Sequence, residues 1–140
     1  MVQGEAALDD RQRTPRKHVF AVNSSPDFLL IVRELLEAEG YAVTTSEFAP
    51  NVFTRIVMRQ PDALVIDVAV GEEAGWDLLR RLHAEPATTD IPALVTSTSP
   101  ELLEQALEEA AWYGTNRTYL TKPMDLDELV GTVRELIGDG

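Results

Sequence analysis

Three short apolar runs in this 140-residue chain end on polar residues able to do chemistry. Ala63-Leu64-Val65-Ile66 closes on Asp67, Tyr119-Leu120-Thr121 closes on Lys122-Pro123, and Val19-Phe20-Ala21-Val22 closes on Asn23-Ser24, with no acid. A carboxylate at the end of a buried strand is costly unless a cation compensates it or a reaction uses it. Lys122 is the expected compensator. Aspartate in general can act as a nucleophile toward phosphorus, giving an aspartyl phosphate. The donor is anionic, so that reaction needs charge neutralisation, usually from a divalent ion and a fixed cation.

Positioning these strand ends requires an alternating α/β frame. Val19–Val22 reads as a first strand, followed by Ser25-Pro26-Asp27, a helix start with a capping hydroxyl, a proline at the first helical position and an acid favoured by the dipole. Phe28, Ile31, Val32, Leu35 and Leu36 follow at helical spacing until Gly40. Tyr41–Thr45 is strand-like, Val52–Arg59 a weaker helix, Ala63–Asp67 a third strand and Trp76–Ala84 a helix. Ile91–Val95 is expected as the fourth strand, before a helix that starts at Ser99-Pro100-Glu101 and reaches about Trp112, with Gly114 beyond it. Thr118–Thr121 is the fifth strand, and Asp125 with Glu128 forms a capping-box pattern before a last helix with Leu126, Leu129, Val130, Val133, Leu136 and Ile137 on its stripe. Alternation of this kind implies right-handed crossovers and a parallel sheet covered on both faces. In such sheets chemistry gathers at the carboxyl ends of the strands, where Asn23, Ser24, Asp67, Thr96–Thr98 and Lys122 all fall.

Composition limits the function classes. The length fits one domain able to bury a core without staples, and the chain has no cysteine, hence no disulfide or thiolate metal site. No stretch approaches the roughly 18 apolar residues that span a bilayer, and the N-terminus lacks the pattern of a signal peptide. These features fit a cytoplasmic protein without a membrane partner. The net charge is −12, and because residues 1–17 carry Arg11, Arg13, Arg16 and Lys17 against only Glu5, Asp9 and Asp10, the remainder is the more acidic part. Such a body repels polyphosphate backbones, which argues against nucleic-acid binding by this domain alone. Residues 1–17 read as a flexible leader and residues 18–140 as the folded domain. His18 and His83 are isolated, without the spacing of a ligand pair, and Trp76 and Trp112 read as packing or surface anchors.

From about residue 18 to residue 138 the chain resembles the receiver domains of two-component response regulators. Pro61-Asp62-Ala63-Leu64-Val65-Ile66-Asp67 is similar to the strand that ends in the family's phosphoacceptor aspartate, Gly75 to a glycine of the following loop, and Asp90-Ile91-Pro92-Ala93-Leu94-Val95 to the start of the fourth strand. The resemblance places Ser97 at the family's Ser/Thr position, Tyr119 at the switch aromatic and Lys122-Pro123 at the lysine–proline pair, followed by Asp125-Leu126-Asp127-Glu128-Leu129. It implies a flavodoxin-like fold, a doubly wound five-stranded parallel sheet in the order 2-1-3-4-5 with five helices. It also implies a non-enzymatic signalling role, with a sensor histidine kinase or other signalling protein as partner. An output partner would use the face made by the fourth helix, fifth strand and last helix. Several positions depart from the family. The two acids that hold Mg²⁺ with the phosphoacceptor are replaced by Asn23 and Ser24, the usual proline after the phosphoacceptor by Gly71, and the small residue after the Ser/Thr by Thr98.

Mg²⁺ prefers hard oxygen ligands, one or two of them carboxylates. Replacing two carboxylates removes two formal charges, and a charge pair at ~4 Å contributes roughly 4 kcal/mol at an effective dielectric of about 20. The expected loss is a thousandfold or more in affinity, since each ~1.4 kcal/mol is tenfold. No cofactor is expected to bind tightly; Mg²⁺ is expected to bind weakly at most, through Asp67 and the backbone carbonyl of Ala69. Glu72 and Glu73 are expected to be solvated loop acids. Two alternatives accompany the phosphorelay reading. One is a phosphorylation-independent interaction module, with Glu101, Glu104, Glu108 and Glu109 as an acidic docking surface. The other is a flavodoxin-like binder of a small anionic ligand at Asn23-Ser24-Ser25-Pro26. Nothing follows Gly140 that would serve as an output domain, so the chain is expected to be a stand-alone receiver or a piece of a longer protein.

Overall fold

The computed structural model of the protein describes residues 16–69, 71–109, 117–122 and 125–138; the N-terminal leader up to residue 15, Trp112, Gly114 and Pro123 lie outside the described residues. Strands β1 (His18–Val22), β2 (Ala42–Ser46), β3 (Ala63–Asp67), β4 (Ala93–Ser97) and β5 (Arg117–Thr121) alternate with helices α1 (Pro26–Ala38), α2 (Val52–Arg59), α3 (Ala74–Ala84), α4 (Pro100–Glu108) and α5 (Leu126–Ile137). The strands form one parallel sheet in the order β2-β1-β3-β4-β5. This is the doubly wound arrangement expected from the alternation.

Local chemistry sets the helix ends. Ser25 Oγ accepts from the Phe28 N–H and Ser99 Oγ from the Leu102 N–H, and each cap precedes a proline at the first helical turn. Asp125 caps α5 through the Asp127 N–H at 2.9 Å. A capping box would use the N–H of Glu128 instead, but that group donates to the Asp125 backbone carbonyl at 3.0 Å, so Asp125 is a plain side-chain cap. Gln60 ends α2 in the left-handed region, at φ 48°, because Pro61 disfavours further helix at the residue before it.

The sheet divides the core into two layers. Phe20, Val22, Leu64, Ile66, Ala93 and Val95 pack against α2, α3 and α4. Val19, Ala21, Val65 and Leu94 pack on the opposite face, against α1 and α5. Two sequence expectations shift. The fourth strand begins at Ala93, two residues late, because the Ile91 N–H is spent in a turn to the Thr88 carbonyl at 3.0 Å and Pro92 has no N–H to give. On α1 the buried stripe is Leu29, Val32 and Leu36, whereas Ile31 is 43% exposed. Both stripes have helical spacing; docking on β1 and β2 selects the one containing Leu29.

At the far end of the sheet, the His18 N–H donates to Asp62 Oδ2 at 2.7 Å and its Nε2 lies 2.8 Å from Thr44 Oγ1. Burial lowers the His18 pKa from its ordinary 6.5, and Arg59 lowers it further against the opposing pull of Asp62. The unfolded chain therefore binds the proton more readily than the folded one. The neutral imidazole contributes stability that is complete above the ordinary value and is lost as pH falls below it. Urea midpoints measured from pH 7.5 to 5.5 should fall more steeply for the wild type than for His18→Gln.

Candidate functional site at the carboxyl ends of the strands

The alternation of side chains across a strand decides which residues can meet. Val19 and Ala21 face α1 and α5, and so must Asn23, two residues on; by the same count Val65 leads to Asp67, Leu94 to Thr96 and Leu120 to Lys122. Parallel pairing of β3 with β4 sets Asp67 opposite Thr96. The Thr96 hydroxyl donates to Asp67 Oδ1 at 2.8 Å, and the Lys122 ammonium contacts the same oxygen at 2.7 Å. The Lys122 N–H donates to the Ser97 carbonyl at 2.7 Å, which fixes the backbone from which its side chain extends. Its ammonium lies 4.7 Å from the centroid of the Phe28 ring on α1. The two charged side chains are only 14% (Asp67) and 23% (Lys122) exposed, so the pair is poorly screened by solvent. The acid and base singled out in the sequence are thus brought together.

Ser97 and Tyr119 occupy the other face. Ser97 is buried, and its Oγ accepts from the Ser99 N–H at 3.2 Å. Tyr119 stands opposite Val95 and packs, partly buried, against the α2–α4 layer. Thr96, not Ser97, touches Asp67. The sequence contained a signal for this: given the phase of the apolar residues, Thr96 is the strand-end hydroxyl that shares a face with Asp67. Phe28 was legible only as a member of the α1 stripe. Arg117, at the start of β5, is buried and donates to the Ile91 carbonyl at 3.0 Å; burial lowers its pKa, opposed by Tyr119.

The residues present do not suit a hard dication. Asn23 is 3% exposed and its Oδ1 accepts from the Ser25 N–H at 2.8 Å, a turn that starts α1. Ser24, Glu72 and Glu73 are exposed, and Glu73 lies 3.9 Å from Arg80. The Ala69 carbonyl accepts from the Glu72 N–H at 3.2 Å around Gly71, whose φ is 79°. Among the described residues no three His, Cys, Asp or Glu side chains gather as a metal site. Among the described residues Asp67 is the one carboxylate at the ends of β1, β3, β4 and β5, the fewest that a Mg²⁺ site uses.

Gly75 brings α3 against this loop. A Cβ there would stand 2.7 Å from the Asp67 carbonyl oxygen and 2.8 Å from Val68 Cγ1, so only glycine lets the helix start this close to the end of β3.

Comparison with known proteins decides the family. Residues 19–134 match the model of the response regulator receiver domain. The chain belongs to that family. An uncharacterised 14.6 kDa protein of Leptolyngbya boryana is 31% identical over 124 residues, 89% of this chain and 92% of the relative. The transcriptional regulatory protein KdpE of Staphylococcus aureus is 32% identical over 99 residues, 71% of this chain but 40% of the regulator. A putative response regulator from Chloroflexus aurantiacus has 28% identity and a TM-score of 0.72, covering 88% of this chain and 98% of its own. The receiver domain thus spans nearly all of the first relative and less than half of KdpE. Among its described residues no helix is long and apolar enough to cross a membrane.

Proposed function

We propose that this receiver domain takes part in two-component signalling with Asp67 as its phosphoacceptor and a histidine kinase as donor, and that loss of the acidic pair makes the transfer slow. The observation that carries the reading is Asp67, held at the end of β3 by Lys122 at 2.7 Å and by Thr96 at 2.8 Å. In the transfer an Asp67 oxygen forms a bond to phosphorus while the donor's P–N bond breaks; the electron pair leaves with the imidazole, which takes up a proton. Lys122 supplies the fixed cation beside the incoming charge. The phosphoryl group then competes with the carboxylate for Lys122, whose N–H is bonded to the Ser97 carbonyl. That displacement is the route by which modification reaches Ser97, Tyr119 and the α4–β5–α5 face. The domain acts as acceptor and switch, not as an enzyme.

The closing experiment measures intact mass after incubation with acetyl phosphate, with and without Mg²⁺, using Asp67→Asn as control. One added phosphate on the wild type, absent from the control and little changed by Mg²⁺, is expected. No addition in either condition would end the reading.

One observation favours a second reading. Asn23 Oδ1 is committed to the Ser25 N–H, so the position that should assist a metal is used to build α1. A domain retained as a phosphorylation-independent module would look like this, with the acidic surface of α4 (Glu101, Glu104, Glu108) and the adjoining Glu109 available to a partner. The mass measurement separates the two readings. A small anionic ligand at the start of α1 has less support, because the Ser25 and Phe28 N–H groups already donate to Asn23 and Ser25 side chains.

A further inference from the structure

We infer that Thr96 and Phe28 are positioning residues, which hold Asp67 and Lys122 in one geometry and leave a single oxygen, Asp67 Oδ2, for reaction. The reactive part rests on the phosphoacceptor reading; the geometric part does not. Both donors, the Thr96 hydroxyl and the Lys122 ammonium, fall on Oδ1. Oδ2 has no hydrogen-bonding partner among the described residues, and it is not among the buried polar atoms left without one, so it reaches solvent.

An aspartate carboxylate turns about a broad, two-fold torsion, and a single donor would let its oxygens exchange places. Two donors on one oxygen, from β4 and from the end of β5, make rotation cost both bonds. Lysine presents the opposite problem. Its ammonium is a point charge on a flexible four-carbon stem, with no geometry of its own. The Phe28 ring, 4.7 Å away, supplies an attractive seat from α1. Lys122 is thereby held between a carboxylate on β3 and an aromatic face on α1. Thr96 can do this and Ser97 cannot, because adjacent strand residues face opposite ways.

The reaction assigned to Oδ2 balances simply with an acyl phosphate donor: Oδ2 gains the bond to phosphorus, the P–O bond to the acyl group breaks, and its electron pair leaves with the carboxylate. Thr96 and Lys122 keep their protons throughout.

The chain has only two lysines, Lys17 and Lys122, so lysine-selective ¹³C labelling gives two sets of side-chain signals, with Lys17 as internal reference. In the resting protein the Lys122 ε-methylene protons should be displaced upfield by the Phe28 ring. Phe28→Leu should erase the displacement and Phe28→Tyr should keep it. Thr96→Val should reduce it, because a freed carboxylate releases the lysine, and Thr96→Ser should restore it. With acetyl phosphate, Thr96→Val should take up phosphate on Asp67 about tenfold more slowly, the scale of one lost hydrogen bond, and Thr96→Ser should recover to within about twofold. Identical Lys122 signals in wild type, Phe28→Leu and Thr96→Val would overturn the seat. Wild-type phosphorylation rates in Thr96→Val would overturn the selection of Oδ2. If the wild type accepts no phosphate, the phosphoacceptor reading and the reactive role of Oδ2 fail together, while the resting spectra still decide the geometry.

Discussion

Replacing Asn23 and Ser24 together by aspartate should make the stability of this receiver domain depend on Mg²⁺. Two carboxylates would rejoin Asp67 at the strand ends, and the gain in Mg²⁺ affinity should be about a thousandfold or more, by the charge arithmetic of ~4 kcal/mol per close pair at a dielectric near 20. The turn into α1 should survive, because an aspartate at position 23 can accept from the Ser25 N–H as Asn23 Oδ1 does at 2.8 Å. The cost should appear without metal. Three acids would then face Lys122 alone, and stability in EDTA should fall by about 1–3 kcal/mol, less than the bare charge repulsion because Ser24 is solvent-exposed. Urea unfolding followed by tryptophan fluorescence, in EDTA and in excess Mg²⁺, measures both effects. Equal stability with the wild type in EDTA, together with no response to Mg²⁺, would show that the native Asn23 and Ser24 do not relieve repulsion at the site.

Removing the cation should be nearly as disruptive. Lys122→Met deletes the charge and keeps a flexible side chain against the Phe28 ring, leaving Asp67, 14% exposed, with the Thr96 hydroxyl as its remaining partner. Breaking a fully buried ion pair from one side costs about 3–5 kcal/mol; partial exposure reduces this to about 2–3 kcal/mol. Most of that cost is the stranded carboxylate, not the lost attraction. Adding Asp67→Asn should therefore recover more than half of the lost stability, with a coupling energy of about 1–2 kcal/mol across the double-mutant cycle. Independent, additive losses from the two substitutions would mean that the 2.7 Å contact contributes little to the fold.

Both expectations follow from the charges at the strand ends. With one acid and one base in contact the site is close to neutral, and it should hold its resting geometry without a metal. The same neutrality withholds the charge that a phosphoryl transfer uses. If Asp67 is the phosphoacceptor, stability of the resting state and speed of modification should be opposed here.

Much of this was legible before any coordinates. The alternation of strand and helix patterns, the serine–proline starts of α1 and α4, and the acid and lysine at two strand ends are local properties, fixed within a few residues by periodicity, capping and the cost of burying charge. They were enough to specify a doubly wound parallel sheet and to pair Asp67 with Lys122. The sequence pattern starts β4 at Ile91, which is apolar and β-branched, whereas the ladder depends on N–H groups that Ile91 spends in a turn and Pro92 lacks. Ile31 is exposed for a related reason: helical spacing defines a stripe, but the sheet beneath decides which stripe is covered.

The sequence alone determined which residues gather at the carboxyl edge; tertiary structure decided which of them touch. Thr96 and Ser97 are adjacent hydroxyls, and only the register of β3 against β4 assigns the first to Asp67 and turns the second toward α4. Phe28 lies 94 positions before Lys122 in the chain, and no local pattern sets its ring beneath that ammonium. Periodicity fixes how side chains alternate along one strand or helix, whereas the phase between elements is set by packing across long sequence separations.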